Sequence, residues 1–437
     1  MEKLVTRLQL PNGLLVLLKE IHASPIISHW IWYRVGSKDE PTGLTGISHW
    51  TEHMQFKGTP TFPSGVLDRA ISRDGGSWNA FTFLDWTTYF ETTPANKIDL
   101  ALQLEADRMT NSTFDGQNIQ SERTVIISER QGNENEPLFK LGEEVQAAAF
   151  RVHPYHHEII GDMADLKTIQ RDDLFRHYHT FYTPNNAVLA LAGDFETQVM
   201  LARIESFYGP LAPGPIPPRI CRPEPTQNGE RRVIVQGPGE TTYIEITFHA
   251  PAASDPDFFA LSVLDSLLCG ASNLNLFGGG ISNKTSRLYR LLVEGELAVS
   301  VSGNLQATID PYLYSISIIL RPGRTPEEVI RTVEEEINRL QEKPVQPEEL
   351  ARAVKQARAI FAYGSESITN QAFWLGFSEM FDRYEWFTTY LDKLAAVSPH
   401  DVQLAAQKYL LPQKRVLGVY LPDGDKTQFD VALEEEI

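Results

Sequence analysis

Alternating apolar and polar positions predict that the chain begins with a β-hairpin. Residues 5–10 and 14–20 alternate on both sides of Pro11-Asn12-Gly13, a sequence that favours a tight turn between two strands. A third strand is predicted over residues 26–35, and a polar loop then leads into a helix that ends near residue 56. The chain is therefore predicted to open with a small sheet followed by a helix.

The rest of the first half mixes strand and helix patterns. Strands rich in aromatic residues and threonine are predicted at 77–83 and 86–93, and a short apolar strand at 187–192. Helices are predicted at 64–73, 95–109, 115–132, 138–150, 174–182 and 195–208. This half is thus predicted to be a sheet packed against helices.

The second half repeats this order of elements. A stretch rich in proline and glycine, at 209–229, is predicted to be a linker because its prolines exclude regular strand pairing. Beyond it, strands are predicted at 231–237, 241–249, 297–305, 311–321 and 415–421, and helices at 256–269, 284–293, 325–342, 346–363, 383–395 and 398–410. We therefore predict a duplicated α+β fold with two homologous domains, 1–215 and 225–437, each an antiparallel-rich sheet packed against helices.

Composition and charge limit the class of protein. With 437 residues, of which 42% are hydrophobic and 22% charged, the chain is predicted to be globular. Its formal net charge of −18 argues against nucleic acid as a partner, and suits either a basic substrate or solubility alone. No apolar run is long enough to span a membrane, and the first residues lack the apolar core of a signal peptide. A cytoplasmic location is therefore expected, with a mature form whose leader has been removed as the alternative. Cys221 and Cys269 cannot make a disulfide framework and are expected to be ordinary thiols.

One short stretch carries the chemistry expected of a metal site. Within His49-Trp50-Thr51-Glu52-His53, the two histidines lie four residues apart and point the same way in a helix, so both can bind one ion. Zinc favours imidazole nitrogen and carboxylate oxygen, and a catalytic zinc keeps one position for water. Glu52, beside the same face, is placed to take a proton from such a water. The residue order is that of the inverzincin motif, although a helix can also carry these side chains by chance.

A third protein ligand is needed, and the helix predicted at 115–132 offers candidates. Glu122 and Glu129 lie seven residues apart, which is two helical turns, and therefore share one face. Two glutamates at this spacing are also typical of a solvated helix face. The spacing alone leaves both interpretations open.

The metal motif and the two downstream glutamates resemble those of the pitrilysin-type inverzincin zinc metallopeptidases. The similarity is to their short-chain branch, which contains bacterial enzymes and the mitochondrial processing peptidases. In that family a glutamate about 75 residues beyond the motif completes the zinc site, and a second glutamate seven residues earlier supports it. The resemblance implies that His49, His53 and Glu129 bind Zn2+. It also implies that Glu52 is the general base and that Glu122 supports catalysis from outside the ligand shell.

A strand pattern of this family is also present. The stretch from Gly75 to Thr82 resembles its G-G-x-x-N-A-x-T strand. In the family this is an edge strand that pairs with the substrate backbone, so the resemblance implies that Asn79 and Ala80 bind substrate. A peptide added to a sheet edge is held by main-chain hydrogen bonds that do not depend on its sequence. A purely structural role for Asn79 at a turn or strand end is the alternative.

The second half departs from the family at two positions. Complete peptidases carry an arginine and a tyrosine that contact the substrate, and the matching positions here hold Val293 and Val299. A valine cannot donate a hydrogen bond to a developing oxyanion. In two-subunit members one chain carries the zinc motif and the other the Arg/Tyr pair. The resemblance therefore implies a zinc subunit that forms a heterodimer with a homologous non-zinc chain, with a homodimer as the alternative.

These features together predict a zinc-dependent endopeptidase that hydrolyses extended or unfolded peptides inside a chamber. One alternative is a catalytically silent scaffold subunit of a larger complex, which some relatives have become. A second is a zinc hydrolase acting on non-peptide amides. The acidic and imidazole side chains of the motif argue against the scaffold, and the edge strand favours a peptide substrate. The glycine-rich stretch at 278–280 is either a mobile loop near the chamber or an ordinary connection.

Overall fold

The computed structural model describes residues 5–220, 222–275 and 283–423. Cys221 and the glycine-rich stretch at 278–280 lie outside these residues. The chain divides into two compact units, neither of which is continuous in sequence. The first takes residues up to 132, 152–223 and 364–389, and the second takes 133–151, 224–363 and the residues from 390 onward. Each unit thus includes a segment from the other half of the chain. The division into two sequential domains, 1–215 and 225–437, stays a prediction.

Six strands form the sheet of the first unit. They are β1 (Thr6–Gln9), β2 (Leu15–Glu20), β3 (Ile26–Tyr33), β4 (Ser77–Thr82), β5 (Thr87–Pro94) and β6 (Ala187–Gly193). Their order across the sheet is β1-β2-β6-β3-β5-β4, with β2 and β6 parallel and the other neighbours antiparallel. The predicted hairpin is confirmed, because β1 pairs with β2 and Gly13 has the positive φ of 91° that glycine adopts readily in a tight turn.

Five strands form the sheet of the second unit. They are β7 (Arg231–Gly237), β8 (Tyr243–His249), β9 (Ala298–Leu305), β10 (Leu313–Leu320) and β11 (Arg415–Pro422). The order is β7-β11-β8-β10-β9, with β7 and β11 parallel and the other pairs antiparallel. This repeats the order and directions of β2-β6-β3-β5-β4 in the first unit. The predicted duplicated α+β fold is therefore confirmed.

Helices cover both sheets. In chain order they are α1 (Ile47–Gln55), α2 (Val66–Arg73), α3 (Ile98–Asn111), α4 (Gly116–Asn133), α5 (Pro137–Ala149), α6 (Met163–Thr168), α7 (Arg171–Phe181), α8 (Thr197–Tyr208), α9 (Asp257–Leu268), α10 (Pro326–Glu342), α11 (Pro347–Tyr363), α12 (Ile368–Phe381), α13 (Tyr384–Ala396) and α14 (Pro399–Tyr409). A π-helical turn, Tyr289–Glu294, stands where a helix was predicted at 284–293. Among the described helices, none combines the length and the apolar character that crossing a lipid bilayer requires.

Helix α12 is the main element that the sequence pattern did not predict; the short α6 is the other. In α12 the residues from Ala372 to Met380 are all buried, so the apolar positions of this helix show no 3.6-residue period. In the first unit α12 packs on β3 and β6. Gly376 approaches the sheet so closely that a Cβ atom there would lie 2.0 Å from Nε1 of Trp32. A residue without a side chain is therefore required at this crossing.

Candidate metal centre

Helix α1 is fixed by its buried face and by a carboxylate at its first turn. Trp50 and Met54, four residues apart, are fully buried. At the start of the helix, the buried carboxylate of Glu40 accepts the backbone N–H groups of Gly46 and Ser48, each at 2.8 Å. These bonds satisfy amides that lack partners inside the helix. The position of α1 in the first unit is thus set by packing and by hydrogen bonds.

The two histidines of α1 meet a carboxylate of α4. The rings of His49 and His53 lie 4.7 Å apart between their centres. Nε2 of His49 is 4.0 Å from one oxygen of Glu129, and Nε2 of His53 is 3.7 Å from the other. The structure therefore brings a glutamate from far along the chain to the two histidines of α1.

These three residues fit a zinc ion. One ligand atom from each of His49, His53 and Glu129 lies within 4.8 Å of the others, and no other trio of His, Cys, Asp or Glu in the described ranges is this close. Zinc binds nitrogen and carboxylate oxygen at about 2.0–2.2 Å in a tetrahedron, which places its ligand atoms about 3–4 Å apart. Three protein ligands also leave one position free, as catalytic zinc sites do.

A second glutamate of α4, Glu122, is hydrogen-bonded to the ring nitrogen of His53 that faces away from Glu129. Nδ1 of His53 lies 3.1 Å from Oε2 of Glu122, and Lys57 forms an ion pair with the other oxygen of that carboxylate. A neutral His53 that donates Nδ1–H to Glu122 has its Nε2 lone pair free for a metal. Nδ1 of His49, by contrast, is buried without a hydrogen-bond partner in the described part of the chain. Glu122 therefore orients one of the two imidazoles.

Glu52 lies beside these residues and is largely removed from solvent. It is 8% exposed, and its Oε2 accepts a hydrogen bond from the hydroxyl of Thr82 at 2.6 Å. Burial, with a smaller contribution from the charge of Glu129, raises the pKa of Glu52 to about 7, against the lowering effect of the hydrogen bond from Thr82. A carboxyl with a pKa near neutrality can both accept and return a proton.

The strand that carries Asn79 and Ala80 runs up to this position. β4 ends at Thr82 and pairs with β5 at the margin of the sheet, so its outer edge has no partner strand among the described residues. Asn79 is exposed and its side-chain oxygen accepts the backbone N–H of Ala80 at 2.9 Å, while Ala80 itself is buried. An unpaired strand beside Glu52 can accept an extended peptide.

A buried charged cluster supports this strand from inside the first unit. His29, Glu91, Glu105 and Arg108 are at most 1% exposed. Arg108 pairs with Glu105, and its guanidinium lies over the rings of Tyr89 on β5 and of Trp78 on β4, at 4.6 and 5.5 Å. Sequence reasoning did not identify this cluster or Thr82. A charged residue at an apolar position of α3 was the signal that could have pointed to Arg108.

The two valines that replace the expected Arg/Tyr pair lie in the second unit. Val293 belongs to the π-helical turn, and Val299 is on the edge strand β9. The side chain of Val299 is 58% exposed, so this apolar group faces solvent in the isolated chain. Neither side chain can donate a hydrogen bond.

Models of one peptidase family match most of the chain. The model described as Insulinase (Peptidase family M16) matches residues 15–163, which include α1 and Glu129. The model described as Peptidase M16 inactive domain matches residues 168–357. The two matches follow one another along the chain, in agreement with its duplicated fold.

Individual proteins agree with these matches. A Mycobacterium leprae protein named as an uncharacterised zinc protease is 29% identical over 425 residues, which are 95% of this chain and 92% of the relative. The probable mitochondrial-processing peptidase subunit beta of Arabidopsis thaliana is 29% identical over 294 residues, 67% of this chain and 55% of its own. The crystal structure of a protease from Helicobacter pylori superposes with a TM-score of 0.89 at 25% identity, covering 97% of this chain and all of the other.

Proposed function

The chain belongs to peptidase family M16, and on this premise we propose that it is a zinc-dependent endopeptidase. The observation that carries the proposal is the meeting of Glu129 with His49 and His53, at 4.0 and 3.7 Å. An exposed glutamate on α4 has no structural need to face two imidazoles of another helix. The donor set suits Zn2+, which when bound supplies a Lewis acid for the carbonyl oxygen and lowers the pKa of a coordinated water.

The residues of the chain itself perform the proton transfers. Glu52 accepts a proton from the attacking water and returns it to the leaving amine. The hydroxyl of Thr82, 2.6 Å from one carboxylate oxygen, stabilises the ionised form and leaves the other oxygen free. Glu122 keeps the ring of His53 in one orientation, which supports the site without contact to the substrate.

An extended or unfolded peptide is the substrate that this site suits. β4 offers a free edge that ends beside Glu52, and main-chain pairing there would hold a peptide whatever its sequence. In this proposal the substrate displaces the bond between Asn79 and the Ala80 amide and pairs with that part of the strand. The edge strand also makes a non-peptide amide the weaker candidate, because a small amide has no backbone to pair.

We further propose that the active form contains a second, homologous chain. Val293 and Val299 provide no hydrogen-bond donor where complete peptidases carry an arginine and a tyrosine. A partner without the zinc motif but with that pair would supply the donors, and the similarity to a subunit of the mitochondrial-processing peptidase supports a heterodimer. The chain should be assayed alone and with its candidate partner on an unfolded peptide. Full activity of the lone chain would exclude the need for a partner.

We also propose a cytoplasmic location. The test of the enzymatic proposal is the Glu52→Gln variant, assayed as the purified complex. We expect at least a hundredfold loss of turnover, because general acid–base catalysis contributes about 10²–10⁴ in rate. Zinc content measured on the same sample should be unchanged. A variant that keeps its activity would refute the role of Glu52. Zinc-loaded wild-type complex without any activity would support the scaffold alternative instead.

A further inference from the structure

A cavity lined by arginines lies in the first unit. It has a volume of about 320 Å³ and is bounded by the side chains of Arg7, Arg34 and Arg219, with apolar contributions from Leu15 and Ile216. None of the cavity-lining residues in the described part of the chain is an aspartate or glutamate. In a chain with a formal net charge of −18, a cavity of this composition is unusual. Its position and chemistry separate it from the histidine site.

The positive charge at this cavity is only partly neutralised. Arg7 binds the carboxylate of Glu379 with two hydrogen bonds, at 2.9 and 3.2 Å, and Arg34 donates to the backbone oxygen of the same residue at 3.3 Å. Arg219 forms no hydrogen bond or ion pair within the described part of the chain, although the carboxyl of Asp39 acts on it electrostatically. Three guanidinium groups against the carboxyls of Glu379 and Asp39 leave a surplus of positive charge. Glu385 also acts on Arg7, but it lies 3.6 Å from Arg383.

Of the three arginines, Arg34 is the one that is largely removed from water, and the charges of the other two act on it. Burial lowers the pKa of Arg34, and the neighbouring charges of Arg219 and Arg7 lower it further, against the effect of Glu379. Like charges at short range repel one another, so their proximity costs free energy unless an anion lies between them. Arrangements of this kind are typical of sites that bind anions.

The wall that carries Arg219 is anchored. The side chain of Asn185 both donates to the oxygen of Gly214 at 2.9 Å and accepts its N–H at 2.8 Å. A Cβ atom on Gly214 would meet the side chain of Thr183 at 2.4 Å, so the segment lies tightly against the unit. These contacts hold the linker at Gly214, five residues before Arg219, against the first unit.

We propose that this cavity binds a dianionic phosphoryl group, either as inorganic phosphate or as the phosphate of a small monoester. The surplus of positive charge attracts a phosphate anion, and guanidinium forks bind phosphate oxygens through paired hydrogen bonds. The volume exceeds what a phosphate ion fills, and Leu15 and Ile216 offer an apolar wall for a small organic group. This site is independent of the zinc site and of the proposed peptidase activity.

The test is binding of inorganic phosphate and of glycerol phosphate to the full chain, by calorimetry and by thermal unfolding at constant ionic strength. We expect saturable binding and a rise in the unfolding midpoint with both probes or with the ester alone. Equal affinity for the two probes would show that the phosphoryl group alone determines binding. Tighter binding of glycerol phosphate would show that the organic group also contacts the cavity. Absence of saturable binding by either probe up to about 10 mM would overturn the proposal.

A matched pair of variants distinguishes phosphate binding at this cavity from a general effect of positive charge on the protein. Arg219→Gln removes an exposed arginine that lines the cavity, and Arg222→Gln removes an exposed arginine of the same linker that does not. We expect the first to weaken phosphate binding about tenfold, the effect of losing one charge-assisted pair, and the second to change it less than about twofold. Equal weakening by both variants, or by neither, would show that the arginine cavity is not the site.

Discussion

Nδ1 of His53 lies 3.1 Å from Oε2 of Glu122, on the side of the ring opposite Glu129. This contact fixes which nitrogen of His53 carries the proton and directs Nε2 towards Glu129, another of the proposed metal ligands. His49 has no such contact, because its Nδ1 is buried without a partner in the described residues. The two imidazoles of the site are therefore not equivalent, and Glu122 acts through only one of them.

Replacing this glutamate tests its supporting role. We expect Glu122→Gln to lower zinc affinity about 10–100-fold, because second carboxylates of this kind orient a ligand and raise its basicity. Competition with a chelator of known affinity measures the change. Glu366→Gln, at an exposed position of the same unit, is the matched control and should leave zinc affinity unaltered. Unchanged affinity in Glu122→Gln would remove this residue from the site.

The hydroxyl of Thr82 should set the acidic limb of the pH profile. Its bond lowers the pKa of Glu52, so removing it raises that pKa. The base works only when ionised, that is, above its pKa. We therefore expect Thr82→Val to move the acidic limb of kcat/KM to higher pH, by about one unit or less. Thr82→Ser keeps the hydroxyl and should restore the wild-type profile; a Thr82→Val profile identical to the wild type would contradict this account.

Asn79 should affect the substrate rather than the metal. Its side chain is exposed on the strand that ends beside Glu52. We expect Asn79→Ala to reduce kcat/KM for an unfolded peptide about tenfold, the effect of one lost hydrogen-bonding group, with zinc content unchanged. Ser77→Ala, two residues earlier on the same strand and also exposed, is the control. An equal effect of both variants would speak against a specific role for Asn79.

His177 should make the protein sensitive to acid. It is buried beneath α1, with Nε2 3.4 Å from the hydroxyl of Ser48, and burial lowers its pKa to about 3. Because the unfolded chain binds a proton near pH 6.5 and the folded chain does not, the contribution of His177 to stability is complete above 6.5 and is lost as pH falls. Between pH 7 and 5, the wild type should lose about 2 kcal/mol more unfolding free energy than His177→Gln.

The control for this comparison lies on the same helix. His179→Gln removes an exposed histidine of α7 and should follow the wild-type dependence on pH. Denaturant unfolding at several pH values measures all three proteins. Parallel curves for the wild type and His177→Gln would show that His177 is not held neutral in the folded protein.

The close approach of α12 to the sheet should make Gly376 intolerant of substitution. A Cβ atom there would meet Trp32 at 2.0 Å, and the atom it meets belongs to a fully buried ring. We expect Gly376→Ala to reduce the unfolding free energy by about 1–3 kcal/mol through overpacking. Gly132→Ala, in α4 with no heavy atom near its Cβ, should instead be neutral or stabilising by about 0.5–1 kcal/mol. Equal stabilities of the two variants would contradict the packing described.

Much of the fold was predictable because its helices are amphipathic or bounded by turn residues. Helix α10, for example, lies at Pro326–Glu342 where the pattern predicted 325–342. Helix α12 was not predictable in this way, since burial on all sides removes the period from its sequence. The placement of α5 in the second compact unit and of α12 in the first is also invisible to local patterns, because it depends on contacts between residues far apart in the chain.

The site was predictable where residues lie close in sequence. The spacing of His49 and His53 indicates a metal helix, but helix spacing alone places Glu122 and Glu129 only on one face of another helix. Their meeting with the histidines follows from how α4 packs, which the resemblance supplied and the periodicity did not. No pattern links Arg7, Arg34 and Arg219, because each comes from a separate element and only the fold brings them to one cavity.

The central claim is that His49, His53 and Glu129 hold a single zinc ion. Anomalous diffraction at the zinc edge, on crystals of zinc-loaded protein, measures this directly. We predict one peak within about 2.0–2.2 Å of Nε2 of both histidines and of a carboxylate oxygen of Glu129. A map with no peak between these side chains, or with a peak that Glu129 does not approach, would contradict the account.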